Sequence, residues 1–215
     1  MKIKYAIFDV DGTLLDSMHI WDDAADLFLQ KMGFEARGDE LFRSYGYAKG
    51  IEFMIENYGL DMTHKQVKAE INIILQDYYF NIPLAKPGVK EFLEKLKADG
   101  AKLAVATATE RHLIERALER NGLLQYFDSF FTTFEVGKRK HFPDIFYLAK
   151  ESIGGDETTV VFEDALYAIE TAKKAGFPVI AIEDHAQAKW RDDIKKTADY
   201  YITDYKEMYN IFNLH

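Results

Sequence analysis

The chain contains no cysteine, which removes disulfides and thiolate chemistry from consideration. That absence suits a reducing compartment. No stretch approaches the roughly 18 consecutive apolar residues of a membrane-spanning helix. The opening M-K-I-K-Y-A-I-F-D also reaches its first acid too soon for a signal-peptide apolar region. A cytoplasmic location is therefore expected. Basic residues are in deficit too: 27 Lys and Arg stand against 36 Asp and Glu, a formal net charge of −9. Because Lys and Arg must neutralise backbone phosphates, neither a nucleic acid nor a membrane surface is an expected partner. Internal repeats and low-complexity segments are missing. His64, His112, His185 and His215 have no paired spacing suited to a transition metal.

What is present is an ordinary globular composition, 48% hydrophobic and 29% charged over 215 residues, enough for one sizeable core or a main domain with a smaller insert. A monomer or small homo-oligomer is expected. Ile3, Tyr5, Ile7 and Phe8 predict a short strand that ends in Asp9-Val10-Asp11-Gly12. Two carboxylates one residue apart repel unless a cation or hydrogen bonds offset the charge. Hard Mg²⁺ takes oxygen ligands and often pairs one or two carboxylates with substrate phosphate, so phosphate chemistry is suggested. An acidic turn would use the same residues for conformational reasons alone.

From about residue 18 to 81 the periodicity is helical throughout. Ile20, Ala24, Phe28 and Met32 recur every four residues before Gly33. Ile51, Met54, Ile55 and Tyr58 end at Gly59, and Thr63-x-x-Gln66 reads as a capping box before Val67, Ile71, Ile74 and Tyr78. The stretch I-P-L-A-K-P-G then punctuates the chain. Residues 1–17 and 83–215 are expected to form a core domain and residues 18–82 an inserted helical subdomain. Beyond Gly88, helices and strands alternate: helix 89–96, strand 102–106, helix 113–118, strand 130–133, a helix with Pro143 in its first turn, strand 160–162, helix 169–175 and strand 179–182. This alternation predicts an α/β fold, a Rossmann-like parallel sheet flanked by helices, with ligands beyond the carboxyl ends of the strands.

Three more strand ends carry polar residues. L-A-V-A-T-A-T-E makes Thr107 the first hydroxyl after an apolar run, suited to hold phosphate oxygens with neighbouring backbone N–H groups such as that of Ala108, or to cap a helix. Thr109 is the better candidate for the capping duty. The basic cluster K-R-K-H-F-P-D at 138–144 offers a lysine that would neutralise phosphate, or else a solvated loop. V-V-F-E-D-A places Glu163 and Asp164 at another strand end, where the cation that suits Asp9 and Asp11 would suit them too. Complementing a helix dipole is their other reading. The aromatic stretch from Tyr126 to Phe134 reads as core, and Asp184-His185 as a loop after a strand.

The string D-V-D-G-T-L-L-D-S at 9–17 resembles the first motif of the haloacid dehalogenase superfamily, and the later strand ends follow that family's order and spacing over essentially the whole chain. The resemblance implies a phosphatase hydrolysing a small phosphorylated metabolite with Mg²⁺. It makes Asp9 the nucleophile, Asp11 the acid/base, Thr107 and Lys140 the phosphate-binding hydroxyl and lysine, and Glu163 and Asp164 cation ligands with Asp9 and the Asp11 backbone carbonyl. Thr13 would support Asp9 or Asp11. Where relatives commonly have lysine followed by P-x-P-D, Lys140 is followed by H-F-P-D, which leaves Lys138 as a fallback; the fourth motif has Ala165 where Ser is frequent. The helical insert resembles a cap, with Arg43, Tyr47 and Lys49 as substrate candidates. A β-phosphoglucomutase-like phosphomutase is the nearest alternative, but Trp21 occupies the place where those members usually carry histidine, and His19 lies two positions earlier. A phosphometabolite-binding protein without turnover is a further alternative.

Overall fold

The computed structural model of the chain describes residues 2–35 and 41–212. The chain forms two compact units, one from Met1–Asp16 and Pro83–His215 and the other from Ser17–Ile82. The first unit opens with β1 (Tyr5–Phe8) and the short β2 (Leu15–Asp16). The second contains α1 (His19–Lys31), α2 (Leu41–Tyr45), α3 (Tyr47–Tyr58) and α4 (His64–Asn81). The chain then returns through β3 (Leu84–Ala85), α5 (Val89–Ala98), β4 (Lys102–Thr107), α6 (Arg111–Arg120), β5 (Ser129–Thr132), α7 (Thr133–Val136) and α8 (Asp144–Ser152). It closes with β6 (Val160–Glu163), α9 (Leu166–Lys174), β7 (Val179–Ile182), α10 (Arg191–Thr197), β8 (Tyr200–Ile202) and α11 (Glu207–Phe212).

Six strands form one sheet in the order β5-β4-β1-β6-β7-β8, with every neighbouring pair parallel. A parallel sheet is covered on both faces, and accordingly V-V-F-E and V-I-A-I are buried at every residue. Alternate residues serve opposite faces. Ile7, Ala104 and Val161 join Ile145 and Phe146 of α8 and Ile169 of α9 in one apolar layer. Phe8 and Phe162 stack at 4.3 Å, with Phe92 of α5 edge-on to Phe8. The chain leaves β1 towards β4 and β5, then crosses to β6 on β1's other side, so β1 lies at the switch point where such sheets bind ligands.

The helical unit is held by apolar stripes, Ile20, Ala24 and Phe28 on α1 and Val67, Ile71, Leu75 and Tyr79 on α4. The capping box is present: the Thr63 hydroxyl accepts from Gln66 N, and the Gln66 side chain accepts from Thr63 N. Gly50 is needed for packing, because a Cβ there would lie 2.6 Å from the Phe42 ring. Among the described residues no helix is long and apolar enough to cross a membrane.

Several expectations need correction. Pro143 is the N-cap of α8 and precedes its first turn. The two-residue strands β2 and β3 pair antiparallel and are too short to leave a periodic signal. The stretch Tyr126 to Phe134 is not core. It runs into β5, an edge strand with a single neighbour, so its aromatics are half-buried and Phe134 is 60% exposed. Asp184 does lie in the connection after β7, but it is buried: it caps a 3₁₀ turn over His185–Trp190, which takes His185 out of the loop, and it pairs with Lys86 at 2.9 Å.

Candidate active site

Asp9 continues β1 by one residue, its N–H donating to Phe162 O of β6 at 3.0 Å, so the carboxylate rides on the sheet. The next residues fold back tightly, with Val10 O accepting from Leu14 N and Leu15 N at 2.9 Å. Gly12 makes this turn feasible for two reasons. Its φ is +78°, a left-handed conformation that disfavours side chains, and a Cβ would sit 2.5 Å from Asp164 Oδ2. The glycine therefore lets the loop after β1 pass directly over the acid at the end of β6.

Lys140 enters from the segment between α7 and α8. Its ammonium, 2% exposed, donates to Asp9 Oδ1 at 2.6 Å and to Glu163 Oε2 at 3.1 Å. Lys138 points elsewhere and pairs with Asp144 at 2.5 Å on the surface. Of the two lysines in this cluster, Lys140 is the one that meets the strand ends. His141, in the place of the proline common among relatives, stacks on Tyr167 with ring centroids 4.5 Å apart.

The carboxylates of Asp9, Glu163 and Asp164 converge, each offering an oxygen within 4.8 Å of the others. Burial pushes Glu163 and Asp164 well above the ordinary carboxylate range, and the charge of Asp9 pushes both further. Burial also raises Asp9, with Lys140 opposing and Asp11 adding to the rise. Burial alone would lower Lys140, but Asp9 and Glu163 outweigh it and hold the ammonium above its usual value. Three buried acids against one ammonium leave negative charge uncompensated. The all-oxygen donor set suits a hard divalent cation such as Mg²⁺, so these residues fit the metal that the motifs imply.

A second group adjoins the first. Asp11 Oδ2 accepts from the Thr109 hydroxyl at 2.6 Å, and Thr109 N–H donates to Thr107 Oγ1 at 3.2 Å. Thr107 is fully buried, whereas Ala108 is exposed. Thr109 does not cap α6: that helix starts from Glu110, with no side-chain capping bond. Thr13 is likewise corrected. Its hydroxyl donates to Asp164 Oδ1 at 3.2 Å, not to Asp9 or Asp11, because the turn at Gly12 carries it across to β6. The backbone O of Thr13 in turn accepts from Tyr205 OH at 3.2 Å.

Tyr47 and Lys49 belong to the helical unit. The Tyr47 hydroxyl donates to Asn72 Oδ1 at 2.8 Å, and Lys49 is exposed on α3. The Arg43 side chain lies outside the described ones. Sequence reasoning missed Thr109, Tyr205 and the Lys86–Asp184 pair. For Thr109 a signal existed in the doubled hydroxyl of T-A-T, while Tyr205 has none, standing after the last expected strand.

Comparison with known proteins identifies the family. The family model for haloacid dehalogenase-like hydrolases matches residues 6–182. A phosphorylated carbohydrates phosphatase of Thermotoga maritima is 31% identical over 178 residues, covering 81% of this chain and 82% of its own. A protein of Caldanaerobacter subterraneus subsp. tengcongensis assigned as a pyrophosphatase is 28% identical, covering 98% of this chain and 95% of its own. A solved Thermotoga maritima structure assigned as a β-phosphoglucomutase superposes with a TM-score of 0.81 at 25% identity, over 98% of this chain and 99% of that one.

Proposed function

Because the chain belongs to the haloacid dehalogenase-like hydrolases, we propose that it is a cytoplasmic, Mg²⁺-dependent phosphatase that hydrolyses a small phosphate monoester, of the sugar phosphate kind, through a phosphorylated Asp9. One observation carries this reading: the buried ammonium of Lys140 lies 2.6 Å from Asp9 Oδ1, inside a ring of acids at the switch point of the sheet. An Asp9 oxygen attacks phosphorus as the bond to the leaving oxygen breaks, and Asp11 gives that oxygen its proton. Water then attacks the same phosphorus, loses its proton to Asp11, and displaces the Asp9 carboxylate, releasing inorganic phosphate. Lys140 neutralises charge on the phosphoryl group, while Thr107 and the Ala108 N–H orient its oxygens. Asp9, Glu163, Asp164 and the Asp11 backbone carbonyl would hold Mg²⁺, which when bound offsets the negative charge of the phosphoryl group.

The Ser17–Ile82 unit is read as a cap that selects the alcohol, with Arg43, Tyr47 and Lys49 as candidate contacts. Hydrolysis is favoured over mutase chemistry because Trp21 stands where the mutase-like members usually carry histidine. Its ring packs edge-on against Tyr47, centroids 6.1 Å apart. The name of the carbohydrate phosphatase relative supports a sugar phosphate over pyrophosphate. A panel of sugar phosphates, phosphoglycolate, nucleotides and pyrophosphate, assayed with Mg²⁺ or EDTA, tests the reading. Release of phosphate from at least one monoester with Mg²⁺ only is expected. Release with EDTA, or from pyrophosphate alone, overturns it.

A further inference from the structure

We infer that Thr109 is a positioning residue for the acid/base Asp11, an assignment that rests on the phosphatase reading above. The two residues lie 98 positions apart in the chain, yet the Thr109 hydroxyl donates to Asp11 Oδ2 at 2.6 Å in a buried setting. That bond fixes how the Asp11 carboxyl is turned. The same residue's N–H donates to Thr107 Oγ1 at 3.2 Å. A hydroxyl oxygen that accepts from Thr109 N–H keeps its own hydrogen for a phosphate oxygen. Thr109 therefore couples the group that moves the proton to the group that holds the phosphoryl oxygens.

Its helix-capping alternative is unused, since α6 begins beyond it without a side-chain bond. At 6% exposure no solvent role accounts for the hydroxyl either. A buried hydroxyl costs free energy unless it is bonded, and this one spends its hydrogen on Asp11. Thr109 does not touch the reacting atoms. It acts through Asp11, so its removal affects only those half-reactions that need a proton moved.

Leaving groups separate these cases. The p-nitrophenolate ion departs without a proton, so phosphorylation of Asp9 by p-nitrophenyl phosphate does not need Asp11 as acid. Hydrolysis of the phosphorylated Asp9 still needs Asp11 to take a proton from water. An alkyl phosphate such as a sugar phosphate needs Asp11 in both steps.

The test is pre-steady-state kinetics of T109V and T109S against the unsubstituted chain, with p-nitrophenyl phosphate and one sugar phosphate, in Mg²⁺. For T109V we expect a burst of p-nitrophenol stoichiometric with enzyme, followed by turnover slowed about a hundredfold, the scale of a misplaced catalytic group. The sugar phosphate shows the same slowing and no burst of its alcohol. T109S retains the hydroxyl and restores turnover, with all three proteins melting within a few degrees of each other. Equal slowing on both esters without a burst, or no slowing at all, overturns the assignment while leaving the phosphatase reading intact. An unsubstituted chain that turns over neither ester overturns the reading itself, and this inference with it.

Discussion

The two units handle polarity in opposite ways. Among the described residues, the helical unit buries one polar side chain, Ser17, and otherwise packs aliphatic and aromatic groups. The sheet unit buries Asp9, Asp11, Lys140, Glu163, Asp164 and Asp184, together with Thr13, Thr107 and Thr109. Buried charge is expensive unless paired, and apolar replacements of equal volume are often as stable or more so. A unit that keeps so many buried acids at its strand ends is therefore arranged for something other than stability. The described residues of the helical unit show no such excess.

This contrast predicts that substitutions at the strand ends abolish turnover of every substrate alike. Asp9→Asn preserves shape and removes the attacking carboxylate, so phosphate release should fall at least about 10³-fold on all esters. Because the change also removes one of three mutually repelling acids, the melting temperature should hold or rise. Activity retained with Mg²⁺ would detach the site from catalysis.

Gly12→Ala tests the close approach of the loop after β1 to Asp164. The left-handed backbone alone costs about 1–2 kcal/mol, and the new Cβ, 2.5 Å from Asp164 Oδ2, must push that carboxylate aside. The Mg²⁺ concentration needed for half-maximal activity should rise about tenfold or more, as for other disturbed ligand supports. A melting temperature that falls while the Mg²⁺ requirement stays fixed would show that Asp164 has no part in holding the cation.

What could be read without the fold was whatever lay next to an apolar run. Asp9, Thr107 and Glu163-Asp164 each end a strand whose composition announces it, and Lys140 stands three residues before a proline that opens a helix. Thr109 was legible only as a local cap, because its partner is 98 residues away and local sequence has no way to report such pairing. Thr13 differs in another way: its hydroxyl bonds Asp164 and not the expected Asp9 or Asp11, because its partner depends on how Gly12 turns the chain. Lys86–Asp184 and Tyr205 lie outside every periodic segment, so only the closed structure brings them to the site. In the helical unit the stripes and capping box were plain, while the Tyr47 hydroxyl proved to be bonded to Asn72, 25 positions on.

The surplus of buried acids makes a pH prediction with a definite sign. Burial holds Asp9, Glu163 and Asp164 above their ordinary values, so above about pH 4.5 these three groups bind more protons in the folded chain than in the unfolded one. Stability contributed by these groups then falls as pH rises towards their raised values. In EDTA the melting temperature should drop from pH 5.5 to pH 8. With Mg²⁺ at about a hundred times its Kd, binding to the ionised acids adds roughly 2.7 kcal/mol, and the drop should flatten or reverse. Parallel pH profiles with and without Mg²⁺ would deny the cation its place among these carboxylates.

The smallest effects should come from the helical unit, and there the distinction to measure is between discrimination and rate. Lys49 is exposed on α3, so Lys49→Ala should leave stability within about 0.5 kcal/mol. If this unit selects the alcohol, the change should raise KM for a charged sugar phosphate about threefold to fivefold, the worth of one exposed charge. KM for p-nitrophenyl phosphate, kcat on both esters and the Mg²⁺ requirement should stay where they were. Thr63→Ala supplies the control within the same unit: it removes the capping box of α4 and costs about 1 kcal/mol of stability without shifting the ratio of substrates. A uniform loss of kcat from Lys49→Ala would instead place the helical unit in the chemistry and erase the division between the two units.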